Sequence, residues 1–328
     1  MLNHNNIFDV AKGLLILLVV FGHQPLGDEL HRFIYSFHMG FFFILYGVLF
    51  KEHSNDLIQY IAFKSGNLIG TYYKAVVWSL LFFLLVSYIK FDVFSYEALT
   101  MKAIDYLVGS AYDGNLSPNG PLWFLLSYFF YNFYFQVVYY LEKKIGLAAH
   151  FVFIPIFISI LFSFTLIPFT LNATILAIPF FYVGRFYKGW LLCLDSKYIL
   201  ILISLSLFLF FSIFMMGNYY DISVSNVGYY IDYILLGGLF FIPIIYFSIF
   251  LESTFFGPAL VYLGKRTLGV LCYHILFITG SSYVLSRVLN LNYDVLRGSI
   301  SYIVFISIAS TFFLSYLFDI KKLKKWFI

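Results

Sequence analysis

The sequence predicts an all-α, polytopic integral membrane protein of about ten transmembrane helices, and three observations carry that prediction. Of 328 residues, 62% are hydrophobic and only 11% charged, against about 25% charged in soluble domains. The mean hydropathy is +0.90, too high for a chain that must cover itself with a water-facing surface. Apolar runs close to the roughly 20 residues needed to cross the hydrocarbon core recur along the whole length. Aromatic residues make up 23% of the chain, with 43 Phe, so lipid-facing and helix-packing surfaces are built largely from rings.

In chain order, spans are predicted at 7–26, 33–50, 72–90, 121–141, 147–167, 172–188, 198–216, 229–250, 267–288 and 298–318. The first run ends in Gly22-His23 rather than in a small-residue cleavage site, so it is expected to be retained. Short-loop Lys and Arg should accumulate on the cytoplasmic side. With the N-terminus inside, that side holds Lys51, Lys64, Lys74, Lys143, Lys144, Arg185, Lys188, Lys197, Lys265, Arg266 and the tail Lys321, Lys322, Lys324 and Lys325. The outer side holds only Arg32, Lys90, Lys102, Arg287 and Arg297. Losing one span would scramble this alternation, so an even number of spans with both termini cytoplasmic is expected.

Between spans, 51–73 mixes Ile58, Tyr60, Ile61, Phe63 and Leu68 with Lys64 and Asn67. That mixture reads either as a segment lying in the cytoplasmic interface before the third span or as an ordinary loop. The longest outer loop, 91–120, ends in the breaker cluster Ser117-Pro118-Asn119-Gly120-Pro121. No repeat and no linker interrupts the chain, so residues 1–328 are read as a single transmembrane domain. The net charge of +4 is too small and scattered for a nucleic-acid partner. Cys193 and Cys272 have no metal-ligand spacing, and no metal is expected.

Ionisable side chains inside a span cost roughly 2.5–3.5 kcal/mol each on insertion scales, so each is a functional candidate. The first span carries Asp9, Lys12 and His23. Eleven residues at 3.6 per turn is close to three whole turns, so Lys12 and His23 share a face about 16 Å apart along the axis. Asp9 stands three residues before Lys12, the spacing of an i,i+3 ion pair. Read singly, Lys12 also fits a lysine snorkelling to the headgroups, and His23 fits a residue at the opposite interface. In the second span His38 lies at a depth similar to His23, so the two histidines are placed to meet in one outward-leaning cavity, a proton acceptor with a neighbour to orient it. His274, in the ninth span, reads equally as a structural histidine and as a functional one. Trp123 opens the fourth span, where it is either an interfacial anchor or a sugar-stacking platform. His4, His31, His53 and His150 receive no role.

The run Asp9-x-Ala11-Lys12-Gly13, with a histidine eleven residues beyond the lysine, followed by Phe37-His38-Met39-x-Phe41-Phe42-Phe43 and Gly47, resembles the acyltransferase 3 family, nearest its fucose 4-O-acetylase-like branch. GPLWFLLSYFF at 120–130 and LGKRTLGVLCYHILFI at 263–278 are similar to later family segments. The resemblance implies a ten-helix enzyme in the plasma (inner) membrane that moves an acyl group from cytoplasmic acyl-CoA to an extracytoplasmic carbohydrate hydroxyl. The basic-x10-His motif falls on Lys12 and His23, with lysine where many members have arginine. Gly40 and Tyr46 depart from the proline and serine usual in the branch. On this reading His23 is the general base, Asp9 positions Lys12, and His38 lies beside His23. The donor, acetyl-CoA, is held at the cytoplasmic mouth by Lys12, Arg185, Lys265 and Arg266. Trp123 and His274 face the acceptor, a surface polysaccharide or its lipid-linked precursor. Away from the resemblance, the basic residues other than Lys12 also read as the charges that orient the helices. The rival reading is a polysaccharide or lipid-linked sugar transporter, or an assembly partner without acyl-transfer chemistry. The repeats and broken helix pairs common in transporters are not evident in the sequence.

Overall fold

The computed structural model describes residues 4–51, 57–91, 96–109, 116–145, 168–191, 196–320 and 327. They form α-helices joined by turns and short 3-10 segments: α1 (His4–Gly22), α2 (Asp28–Tyr35), α3 (His38–Leu49), α4 (Leu57–Phe91), α5 (Tyr96–Val108), α6 (Trp123–Ile145), α7 (Leu171–Leu191), α8 (Ser196–Phe214), α9 (Tyr230–Glu252), α10 (Gly257–Gly264), α11 (Thr267–Val288), α12 (Tyr293–Gly298) and α13 (Ile300–Leu317).

Among the described residues, six helical segments are long and apolar enough to cross a membrane: Asp28–Leu49, Leu57–Ile89, Pro168–Gly189, Tyr230–Glu252, Thr267–Val288 and Ile300–Leu317. They coincide with six of the predicted spans. Three more predicted spans are helices below that threshold. These are α1, α6 and α8, of which α8 holds the shorter apolar stretch Tyr198–Phe214. The span predicted at 147–167 lies outside the described residues. Leu200, Ile201 and Phe208 on α8 and Phe305 on α13 are largely exposed, the surface expected of helices solvated by lipid rather than water.

Two expectations are corrected. Within the stretch 51–73, residues 57–73 are neither an interfacial segment set apart from the next span nor a loop, because α4 runs unbroken for 35 residues from Leu57 to Phe91, while 52–56 lie outside the described residues. The second span is not one helix beginning near residue 33. Its N-terminal part is α2, which begins at Asp28, and α2 and α3 are separated at Ser36–Phe37. There the Ser36 hydroxyl donates to the Phe33 carbonyl at 2.7 Å, a local bond of the kind that competes with the helical ladder.

The chain divides into two compact units. One comprises Met1–Leu49, Phe180–Asp221 and Val227–Lys324; the other comprises Phe50–Pro179, Ile222–Asn226 and Lys325–Ile328. In the first, α1 is central and packs on α9, α10, α11 and α13. Glycines allow the closest approaches. A Cβ on Gly13 would collide with the Leu260 backbone, and one on Gly264 with the Asp9 backbone, so α1 and α10 touch backbone to backbone, the small-residue packing typical of membrane helices. Gly47 and Gly184 make the same arrangement between α3 and α7. Gly40 and Gly237 both face the Phe180 ring, which accounts for the absence of a larger residue at position 40. Phe37, Phe210 and Phe240 join the α2–α3 break, α8 and α9, with ring centroids 4.2 Å apart for Phe37–Phe240 and 4.5 Å for Phe210–Phe240. Such pairs add about 0.5–1.5 kcal/mol each beyond the area they bury.

In the second unit, α4 packs on α5 and α6, and buried polar groups are tied in pairs. Asn119 donates to the Ser79 hydroxyl at 2.9 Å, Tyr106 to the Leu116 carbonyl at 3.0 Å and Gln136 to the Lys51 carbonyl at 2.8 Å. Each bond removes a polar group from contact with hydrocarbon, where an unsatisfied one would cost several kcal/mol.

Candidate functional site

The sequence candidates on α1 collect at its two ends. Near the N-terminal end, Lys12 Nζ lies 2.6 Å from Asp9 Oδ1, the i,i+3 pair expected from their spacing. The α1–α10 glycine contact delivers a third charge, because α10 stops at Gly264 and the next residue, Lys265, brings its Nζ to 4.0 Å from Asp9 Oδ2. One carboxylate therefore stands between two ammonium groups. Lys12 and Asp9 retain 27% and 13% side-chain exposure, so their pairing contributes about 1 kcal/mol or less, and its value is positional. Arg266 does not join them. Its guanidinium donates to Asp319 at 2.6 Å and lies over the Tyr262 ring at 3.9 Å. Arg185 and Lys188 sit in the C-terminal half of α7.

At the other end, α1 stops at Gly22. The His23 amide still bonds to Val19 O and the Gln24 amide to Phe21 O, after which Pro25 prevents the helix from continuing. His23 therefore projects from the end of the helix toward α2 and α11. Its ring centroid lies 5.2 Å from that of His274, and its Nδ1 is 3.3 Å from the Tyr35 hydroxyl. Tyr35 in turn meets His38 edge-on at 4.8 Å between centroids. The expected approach of His23 and His38 is thus bridged by Tyr35, since His23 follows the end of α1 and His38 opens α3 while Tyr35 is the last residue of α2.

The protonation pattern of two of these rings follows from their partners. His38 Nδ1 is 2.7 Å from the Ile34 carbonyl, and His274 Nδ1 is 2.9 and 3.1 Å from the carbonyls of Val270 and Leu271. A carbonyl only accepts, so in both residues Nδ1 carries the hydrogen and the neutral ring presents a bare lone pair on Nε2. His274 is fully buried, and its Nε2 has no hydrogen-bond partner among the described residues.

Two further residues that sequence reasoning did not single out for a site adjoin His23. Gln24, 5% exposed, accepts through Oε1 from Arg297 Nη2 at 3.4 Å. Its Nε2 and the Arg297 Nε are buried without partners among the described residues. Nothing local marks either one. Gln24 is polar at a helix end, where polar residues are ordinary, and Arg297 is one of five basic residues assigned to the outer side. The end of α1 thus carries a base-capable lone pair and orphaned donors within one polar cluster, the combination that can take a proton and stabilise a developing negative charge.

Trp123 belongs to the second unit, where it opens α6 after the 3-10 turn Gly120–Leu122. At 7% exposure it is packed inside that unit, with Thr170 donating to its carbonyl at 3.2 Å, and it is not an exposed interfacial anchor. Among the described residues no group of three or more His, Cys, Asp or Glu side chains is arranged to hold a metal ion.

The acyltransferase 3 family model, an acyltransferase domain, matches residues 5–320. No curated protein and no solved structure matched the chain. That match takes in both ends of α1 and every helix packed against them, and the chain belongs to the acyltransferase 3 family of membrane acyltransferases.

Proposed function

We propose that this chain is an O-acetyltransferase of the plasma (inner) membrane, moving an acetyl group from cytoplasmic acetyl-CoA to a hydroxyl of a cell-surface polysaccharide or its lipid-linked precursor. The observation that supports this most is the distribution of chemistry along α1, with ammonium groups near one end and a cluster of histidines, a tyrosine hydroxyl and orphaned donors at the other. In this reading residues 1–328 act as one transmembrane domain of ten spans with both termini cytoplasmic. The Lys12 end then opens to the cytoplasm and the His23 end leans outward.

Lys12, positioned by Asp9 and joined by Lys265, attracts the phosphates of the donor, with Arg185 and Arg266 adding positive potential at the same face. Lysine offers a point charge there rather than a bidentate fork. The donor's acyl arm lies along the 16 Å or so of α1 separating Lys12 from His23. His23 takes the proton of the acceptor hydroxyl as its oxygen bonds to the thioester carbonyl carbon. The carbon–sulfur bond then breaks, and the departing thiolate receives the proton. Tyr35 and His274 orient His23, and His38 orients Tyr35.

Mass spectrometry of surface glycans from cells carrying the wild-type chain, a His23→Ala chain or a deletion tests this reading. An acetyl increment on sugar present only with the wild type is expected. Its absence from all three, or failure of glycan export on deletion, would move the chain to the transporter or assembly class, and full acetylation by His23→Ala would remove His23 from the mechanism.

A further inference from the structure

The start of α2 and the turn after α8 form a half-open cavity of about 280 Å³ lined by Asp28, Glu29, His31, Arg32, Gly217 and Tyr219. It lies beside the His23 cluster. His31 stacks on Tyr35 with centroids 4.1 Å apart, and Tyr35 holds its hydroxyl 3.3 Å from His23 Nδ1. Tyr219 is nearly parallel to His31, 7° between planes and 5.9 Å between centroids, and lies 6.2 Å from Tyr35 at 23°. Three rings of similar tilt therefore form a stack that runs from His31 and Tyr219 at the cavity to Tyr35 beside His23.

We propose that this cavity is the subsite that holds one neutral sugar ring of the acceptor. The inference rests on the acyl-transfer reading for the identity of its ligand and deepens it by naming the recognition chemistry. Three features of the cavity point to that class. Its volume is just under the range of about 300–1,000 Å³ typical of sites enclosing drug-sized ligands, which suits one pyranose and not an oligosaccharide. The Tyr219 ring at the cavity wall offers a π face, whose negative quadrupole attracts the C–H groups on the apolar face of a pyranose. The carboxylates of Asp28 and Glu29 accept hydrogen bonds from sugar hydroxyls, and such charge-assisted bonds are about twice as strong as neutral ones.

Charge excludes an acidic ring. The lining holds two carboxylates and one guanidinium. Both terminal nitrogens of Arg32 are already engaged, Nη1 by the Phe214 carbonyl and Nη2 by Glu29, each at 2.6 Å. The Phe214 bond pins α2 to the end of α8, and the Glu29 side chain remains 81% exposed. Burial, with Asp221 adding to it, pushes the Tyr219 hydroxyl up to about 12, so Tyr219 remains a neutral phenol that both stacks and donates.

Saturation-transfer NMR on the full chain in a detergent without sugar headgroups tests the subsite directly, with methyl α-D-glucopyranoside, methyl β-D-galactopyranoside and glucuronate as probes. At least one neutral glycoside is expected to receive saturation at its ring C–H protons, with glucuronate weaker than both. Tyr219→Ala should weaken binding about tenfold through lost stacking, whereas Tyr219→Phe, which keeps the ring, should stay within about threefold. Binding of neither neutral glycoside, tighter binding of glucuronate, or equal binding by wild type and Tyr219→Ala overturns the proposal. The result is separable from the acyl-transfer reading. Acetylated glycans in cells with no sugar binding here would sink the subsite alone, and sugar binding without acetylated glycans would leave the subsite standing and sink the transfer.

Discussion

Replacing His274 with Phe separates a structural role from a functional one, because the two roles predict opposite balances of stability and activity. The wild-type ring is fully buried, with Nδ1–H on the carbonyls of Val270 and Leu271 and Nε2 without a partner among the described residues. A buried acceptor left unpaired costs about 1–3 kcal/mol, while the Nδ1 hydrogen bond contributes about 0.5–1.5 kcal/mol. Phe removes both terms and fills much the same space with a slightly larger ring, and overpacking in a well-filled core costs about 1–3 kcal/mol. These contributions nearly cancel, so His274→Phe should change stability by no more than about 1–2 kcal/mol. At about 2–4 °C per kcal/mol, the unfolding midpoint in detergent should move by less than about 8 °C. On the proposed chemistry, acetyl transfer should in contrast fall, by at most about 10²–10⁴, the full contribution of positioned acid–base chemistry, because His23 would lose the neighbour 5.2 Å away that orients it. Thermal unfolding and glycan acetylation, measured on the same preparations, check both halves. Wild-type transfer by His274→Phe, or loss of the folded state along with the activity, would refute the assignment.

Two further perturbations probe the ends of α1. In Gly264→Ala the added methyl group lands on the Asp9 carbonyl, which a helix backbone cannot evade, so α1 and α10 must separate. A loss of about 1–3 kcal/mol in thermal unfolding is expected, together with, on the proposed chemistry, a raised KM for acetyl-CoA as Lys265 withdraws from Asp9; an unchanged midpoint would remove the backbone contact from the account. Tyr35→Phe keeps the ring packed against His31 and His38 but deletes the hydroxyl 3.3 Å from His23 Nδ1. Loss of one such bond should lower kcat roughly 3- to 10-fold, equivalent to about 0.5–1.5 kcal/mol, with the KM for acetyl-CoA unchanged.

What was legible in the sequence was what depends on local spacing. The Asp9–Lys12 pair follows from the helical repeat, and hydropathy alone located six of the apolar helices. What depends on which helices become neighbours was not legible. His274 is more than two hundred residues from His23, and no periodicity reports that α11 packs on α1. The glycines at 13 and 264 look like ordinary small residues in the sequence, and their meaning appears only when each is seen to face the other helix's backbone. Lys265 and Arg266 are adjacent and chemically alike, but one turns toward Asp9 and the other toward Asp319, a divergence set by the helix end at Gly264. The interruption at Ser36–Phe37 was hidden because hydropathy runs smoothly across it, although the hydroxyl that disturbs the helix is local.

The orphaned atoms at the His23 end sharpen the chemical argument, because a folded chain satisfies nearly all its buried polar groups and tends to break that rule where it functions. Unpartnered there among the described residues are His274 Nε2, Gln24 Nε2 and Arg297 Nε. The first is an acceptor, by the tautomer its carbonyl partners impose, and the other two can only donate. A site evolved for a bare cation would show acceptors alone, and one for a bare anion donors alone. A hydroxyl attacking a carbonyl needs both, since its proton must find a lone pair while the carbonyl oxygen gathers charge that donors can stabilise. Arg297 already reaches Gln24 through Nη2 at 3.4 Å, so the two donors form a connected pair, and fixing one fixes the other. On the proposed chemistry, this places proton acceptance on the histidine side of the cluster and charge stabilisation on the Gln24–Arg297 side.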